Sequence, residues 1–159
     1  MAPEPRRDEM GSGDVPQQDS LERVVQVIRI MAGGDEVTPK TMGMPESPSS
    51  ERHINYMKHA AKVLGLLDDE GGLLKAGEDV AALPPSKVGA FLALQFELSR
   101  IGRAWKEWAS VEVLDDLDES SATPFLLAMG LSKAMAKRRG RTLSKWLGQF
   151  KNRNTPLIF

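Results

Sequence analysis

Apolar residues recur at intervals of three and four positions in several separate segments, and this spacing constrains the chain to a mainly α-helical fold. The pattern is clear after Ser20, a residue type that caps helices, and it stops at Gly33. The apolar positions of that segment are Leu21, Val24, Val25 and Ile28. With 159 residues, the chain has room for one ordinary domain or two very small ones.

The first half of the chain has the element order of a winged helix-turn-helix. After the first helix, Pro39 predicts a short second helix over residues 37–44, and a third helix is predicted from Pro48. The inward face of this third helix is Ile54, Met57, Ala61 and Leu64. Two leucine pairs flank an acidic, glycine-rich turn at 68–72 and predict a small β-hairpin, the wing.

Residues 86–109 contain no proline and predict one long helix. Its apolar side chains step by three and four over about three heptads. This stripe consists of Phe91, Leu94, Leu98, Ile101, Trp105 and Trp108. Two interpretations stay open: the stripe packs against the rest of its own chain, or it forms the seam of a homodimer.

The last part of the chain predicts a second helix-turn-helix. After an acidic connector at 112–119, an apolar helix over 124–129 leads to Gly130, which supplies the turn. Ser132 then caps a final helix that reaches about Phe150. The predicted fold is therefore mainly α, with two helix-turn-helix units, the first winged, joined by a long helix. The predicted divisions are a disordered tail (1–19), the winged unit (20–83), the linking or dimerisation helix (84–110), the basic helix-turn-helix (111–153) and a C-terminal tail (154–159).

The charges of the chain are segregated. All 22 acidic residues lie at or before Glu119, whereas eight of the 21 basic residues follow it. The last forty residues therefore carry +8, against −9 for residues 1–119. Scattered charge would serve solubility equally well, so this arrangement predicts that the basic end meets a polyanion.

Two sets of residues are candidates for contacts with double-stranded DNA. The final helix repeats basic residues every fourth position, which suits phosphate contact through counterion release. The predicted phosphate-contacting residues are Lys133, Lys137, Arg138, Arg141 and Lys145. Arg138 and Arg139 cannot both face outward, so one of the two is expected to pack against the unit itself.

The third helix offers side chains that suit base recognition. Its candidates are Ser49, Arg52, Asn55, Tyr56, His59 and Lys62. Arginine can engage guanine bidentately and asparagine can engage adenine, while tyrosine and histidine can reach phosphate or stack. Alternatively, Tyr56 and His59 pack beneath the wing, or this helix-turn-helix docks a protein partner instead of DNA. We expect the basic unit to supply affinity and the first unit to supply discrimination.

Catalysis is not expected. The chain has no cysteine and two histidines, and its dense acidic cluster at 115–119 is interpreted as a solvated connector rather than a metal site. No glycine pair is followed by the Lys-Ser/Thr of a phosphate-binding loop. We therefore predict no cofactor, no metal and no enzymatic activity. The polar N-terminus and the absence of a long apolar run predict a cytoplasmic protein without membrane contact, and the expected DNA binding predicts association with the nucleoid.

Residues 49–67, which end in AAKVLGLL, resemble a winged-helix module associated with bacterial restriction and AAA-ATPase-associated proteins. Residues 130–147, with their RR…T…WL pattern, resemble the helix that often follows that module. The resemblance implies a DNA-binding regulator or recognition component of a bacterial restriction or defence system. It also implies that the protein could recognise modified bases, whose methyl groups Tyr56 could contact. The alternative function is an assembly module in which the helices of residues 20–110 dock a partner.

Overall fold

A computed structural model describes residues 10–154 and 156–157 of the chain. Within these residues lie seven α-helices, and no β-strand forms. The helices are α1 (Leu21–Ala32), α2 (Pro48–Val63), α3 (Lys75–Ala81), α4 (Pro85–Leu98), α5 (Arg100–Ala109), α6 (Ala122–Ala128) and α7 (Lys133–Lys151). Short 3-10 turns occupy Ser12–Asp14, Leu114–Asp116 and Glu119–Ser121.

The predicted wing is wrong. Leu67 and Leu73 form a single isolated antiparallel bridge, not a hairpin. Both arms are too short to pair further, because α2 ends in a left-handed Gly65 immediately before Leu66, and Leu74 already serves as the N-cap of α3. α3, a helix that was not predicted, begins at Lys75 and occupies residues that a second strand would need.

The predicted short helix over residues 37–44 is also wrong, since this segment contains only hydrogen-bonded turns. The side chains of Thr38 and Thr41 accept hydrogen bonds from each other's backbone N–H groups, at 3.1 and 2.8 Å. Such local side-chain bonds compete with helix propagation. Gly43, with a φ of 66°, then ends the turn. The flanking helices α1 and α2 form as predicted, with Ser20 and Ser47 as their caps.

The predicted long helix over residues 86–109 is broken at Ser99. This residue ends α4 and caps α5: its hydroxyl donates to the carbonyl of Phe96 and accepts from the N–H of Gly102 at 3.1 Å. A Cβ on Gly102 would lie 1.9 Å from that carbonyl oxygen, so the break requires glycine. The predicted apolar stripe is consequently divided, because Ile101 and Trp105 are buried whereas Leu94 and Leu98 are exposed.

The two helices predicted on either side of Gly130 are present, although α6 begins two residues before the predicted start at 124. α6 ends at Gly130, whose φ of 101° places it in the left-handed region, and the N–H of Leu131 donates to the carbonyl of Leu126. Ser132 caps α7 by accepting from the N–H of Met135 at 3.3 Å. The two helices approach closely at Gly140, where a Cβ would lie 3.0 Å from the backbone of Thr123.

One continuous core joins both units. Phe96 of α4 belongs to this core and contacts three other aromatic rings, with ring centroids 6.4 Å from Trp105, 6.0 Å from Trp146 and 5.1 Å from Phe150. Buried residues of α1, α2 and α6 belong to the same cluster. Every helix in the described residues is too short or too polar to traverse a lipid bilayer.

Residues 10–19, here called the N-terminal strap, differ from the predicted disordered tail. Met10, Val15 and Pro16 are buried, and Met10 and Val15 belong to the core cluster. The remainder of that predicted tail, residues 1–9, lies outside the described residues. In the predicted C-terminal tail, Leu157 packs against the core, while Thr155 and residues 158–159 are likewise outside the described part.

Candidate nucleic-acid interface

α7 is amphipathic in an unusual way, since one face is aromatic and the other is cationic. Its inward face buries Ala136, Leu143, Trp146, Leu147 and Phe150. At 100° per residue, the predicted phosphate-contacting residues fall within less than half of the helix circumference, on the outward side. We call this set, Lys133, Lys137, Arg138, Arg141 and Lys145, the cationic face; all five residues are exposed.

Among the described residues, only one member of the cationic face forms an ion pair. Lys145 forms an ion pair with Asp19 of the strap, with Nζ 2.9 Å from Oδ2. Across the residues that the structure describes, the other four members lie beyond ion-pair distance of any carboxylate. The described carboxylates therefore leave most of the cationic face available to an external anion.

The three remaining C-terminal cations serve the fold or face the acidic connector. Arg139 is 7% exposed, and its Nη1 donates to the carbonyl of Val15 at 3.3 Å. This confirms the expectation that one member of the Arg138–Arg139 pair packs inward. Arg153 donates two bonds of 2.7 Å to Asp115, and these bonds lower the pKa of that carboxyl. Lys151 is exposed and lies close enough to Asp115 to lower that pKa further.

The pKa of Arg139 is set by its burial and by two neighbouring side chains. Burial lowers the pKa of Arg139, the positive charge of Arg138 lowers it further, and Tyr56 of α2 raises it. Arginine nevertheless keeps its charge in proteins, so Arg139 is a buried cation. Tyr56 is half-buried and meets His53 edge to face, with ring centroids 6.2 Å apart.

The strap joins the two predicted DNA-contacting helices. The carbonyl of Gly13 lies 2.6 Å from Nε2 of His59 on α2, and the carbonyl of Val15 accepts from Arg139 on α7. Asp14 pairs with Arg100 of α5 at 3.2 Å. His59 is therefore engaged by the strap and does not pack beneath a wing.

The remaining candidates on α2 are open to solvent. Ser49, Arg52, Asn55 and Lys62 are exposed, and Arg52 makes no described hydrogen bond. A groove of about 500 Å³ runs beside Asn55 and Lys62. Acidic side chains also line that groove, namely Asp35, Glu36 and Glu70. This local negative charge makes α2 a weaker phosphate-binding surface than α7.

The acidic segments at 68–70 and 115–119 each contain an aspartate that stabilises the local backbone by accepting hydrogen bonds. Asp68 Oδ1 accepts from the N–H groups of Glu70 and Gly72, at 3.0 and 2.7 Å, and so stabilises the turn. Asp118 accepts from the N–H and the hydroxyl of Ser120. In the described part of the chain, no three histidine or acidic side chains lie together in a way that could hold a metal ion.

Asp19 is the site residue that sequence reasoning missed. It was counted among the acids of a disordered tail, although it directly precedes the N-cap Ser20. Its partners, Thr142 and Lys145, lie 123 and 126 positions away in the chain. No local pattern reports a contact of that separation, although the apolar Val15 in an otherwise polar segment was a signal that the strap packs.

No family model matches this chain, and neither a curated protein nor a solved structure matches it.

Proposed function

We propose that this protein binds double-stranded DNA without catalysing a reaction on it, and that α7 makes the principal contact with the phosphate backbone. The observation that carries the proposal is the cationic face, on which four exposed cations lie beyond ion-pair distance of any described carboxylate. A solvated helix normally mixes charges of both signs to gain i, i+4 pairs, and α7 contains no acidic residue.

The dimensions of α7 suit this contact. From Lys133 to Lys145 the helix rises about 18 Å, at 1.5 Å per residue. An α-helix with its side chains is about 10–12 Å across, and the major groove of B-DNA is about 12 Å wide. Gly130 and Ser132 fix the start of the helix, and its aromatic inward face holds it against the core, so the cations are presented on a rigid support.

Salt dependence gives the sharpest test of this proposal. Each neutralised phosphate contributes about −0.9 to the slope of log K against log salt, so four contacts predict a slope of about −3.6. Affinity for a random-sequence duplex should therefore fall roughly 150-fold between 50 and 200 mM salt. Fluorescence anisotropy with a labelled duplex measures this directly. A flat profile, or no binding at 50 mM, would refute the proposal.

We further propose that α2 supplies discrimination between base pairs. Arg52 and Asn55 are exposed and unobstructed on its outward face, and both residue types recognise bases in the major groove. Selection of bound fragments from a methylated and an unmethylated genomic library would identify the preferred site. R52A or N55A should relax the preference at particular positions while leaving the salt slope unchanged.

The biological setting that we propose is regulation or target recognition in a bacterial restriction or defence system, at the nucleoid. This setting is supported by the likeness of residues 49–67 and 130–147 to modules of such systems. Because the described residues form no wing, only the helical parts of these two segments support the likeness.

One observation favours a second, protein-binding role, which we propose as self-association through α4. Leu94 and Leu98 lie one turn apart on α4 with 57% and 61% of their surface exposed, and Val113 beside them is 47% exposed. If this face is the seam of a homodimer, L94K/L98K should convert a dimer into a monomer in light scattering. A parent protein that is monomeric at high concentration would refute self-association.

A further inference from the structure

Asp19, the last residue of the strap, occupies an anion site on α7. Its Oδ1 accepts from the hydroxyl of Thr142 at 2.5 Å, and its Oδ2 lies 2.9 Å from the ammonium group of Lys145. The guanidinium of Arg141 adds a favourable charge interaction. A hydroxyl and two cations on one helix face are the groups that commonly receive a DNA phosphate.

The backbone around Asp19 is anchored independently of its carboxylate. The indole N–H of Trp146 donates to the carbonyl of Gln18 at 2.7 Å. Ser20 caps α1 by accepting from the N–H of Arg23 at 3.2 Å. The backbone on both sides of Asp19 is therefore held in place whether or not Lys145 pairs with the carboxylate.

The ion pair itself is open to exchange. The side chain of Lys145 is 48% exposed and that of Asp19 is 41% exposed. Ion pairs of this exposure contribute little to stability, since water and salt screen them. An external phosphate can therefore take over Lys145 without unfolding the strap.

We propose that Asp19 is an autoinhibitory competitor of the DNA backbone, whose carboxylate stands in for a phosphate at Thr142 and Lys145 and so restrains the affinity of α7. This inference rests on the proposed function. It assigns the strap a regulatory task in addition to its packing role: release of Asp19 adds a fifth phosphate contact to the four that are already available.

The test compares D19N with D14N in the full chain. Both variants lose one negative charge, but D19N releases Lys145 on the cationic face, whereas D14N weakens a pair with Arg100 on α5. One additional phosphate contact steepens the salt slope by about 0.9, so D19N should lose about 3.5-fold more affinity than the parent between 50 and 200 mM salt. At 50 mM, D19N should bind the duplex more tightly than the parent and D14N.

A double-mutant cycle separates competition from a general change of charge. In a K145Q background, D19N should no longer steepen the salt slope, because the cation that it releases is gone. Urea unfolding of each variant verifies that binding is compared between folded proteins.

The outcomes distinguish this inference from the proposed function. If the parent binds DNA with steep salt dependence while D19N matches D14N, autoinhibition is refuted and DNA binding stands. If D19N binds at 50 mM salt and the parent does not, autoinhibition is supported, whereas the DNA binding proposed for the parent protein is refuted. If neither the parent nor D19N binds, both the proposed function and the inference are refuted.

Discussion

Removing two central cations of α7 should weaken DNA binding by an amount that follows from their number. Lys137 and Arg141 lie one turn apart on the cationic face, and both are exposed. Replacing both with alanine removes two phosphate contacts and should reduce the salt slope from about −3.6 to about −1.8. If parent and variant converge at 1 M salt, the K137A/R141A variant should bind about 60-fold more weakly at 0.1 M.

The matched control for this variant is K87A/R103A. Lys87 of α4 and Arg103 of α5 are also exposed helical cations, and the structure describes no ion pair for either. Both double variants change the net charge by the same amount, so they differ only in which surface loses its cations. The assay is anisotropy with a random-sequence duplex from 50 to 500 mM salt. Equal losses in the two variants would show that the net charge of the molecule, not α7, governs binding, and would refute the assignment of the interface.

Three further predictions concern the fold that supports the interface. G140A should destabilise the protein by about 1–3 kcal/mol in urea unfolding, because its Cβ would lie 3.0 Å from the backbone of Thr123. The control is G148A on the same helix, whose Cβ would make only an ordinary contact of 3.7 Å with Glu119. We expect G148A to be neutral or stabilising by up to about 1 kcal/mol. G102A should be destabilising for the same reason as G140A, since a carbonyl of α4 lies 1.9 Å from its Cβ, and an increase in the midpoint would contradict the proposed break between α4 and α5. Partial burial of Asp19 alone would raise the pKa of its carboxyl, but its hydrogen bonds and neighbouring cations lower that pKa below the usual value. The carboxylate therefore stabilises the fold above about pH 4, and this contribution is lost as pH falls through the folded pKa. D19N should lose less stability than the parent between pH 5 and acid, and an identical loss in the two proteins would refute this assignment.

The sequence alone predicted those elements whose signals are local. The caps Ser20 and Ser132 accept from N–H groups three positions ahead, and Gly130 ends α6 through its own backbone conformation. Such signals act within one turn of the helix, and they correctly predicted both ends of α1, the starts of α2 and α7, and the turn that follows α6. The segregation of charge was likewise visible in the sequence, because it needs only the order of the residues.

Elements that depend on competition between neighbours were not predicted. Leucine pairs around a glycine-rich turn are typical of a hairpin, yet Leu74 begins α3 and leaves a single bridge between Leu67 and Leu73. Likewise, the continuous spacing of apolar residues in 86–109 gave no warning of the break, which follows from the hydroxyl of Ser99 and from the close approach at Gly102.

By itself, therefore, the sequence determined that the chain is mainly helical, approximately where four of its helices lie, and that its cations gather at one end. Only the tertiary structure decided which of those cations remain available. Lys145 and Arg153 meet acids from distant positions, Arg139 is buried beneath the strap, and the rest of the cationic face is left exposed. The physical reason is range: a helix cap is satisfied within a few residues, whereas an ion pair depends on where the whole core places two segments that lie far apart in the chain.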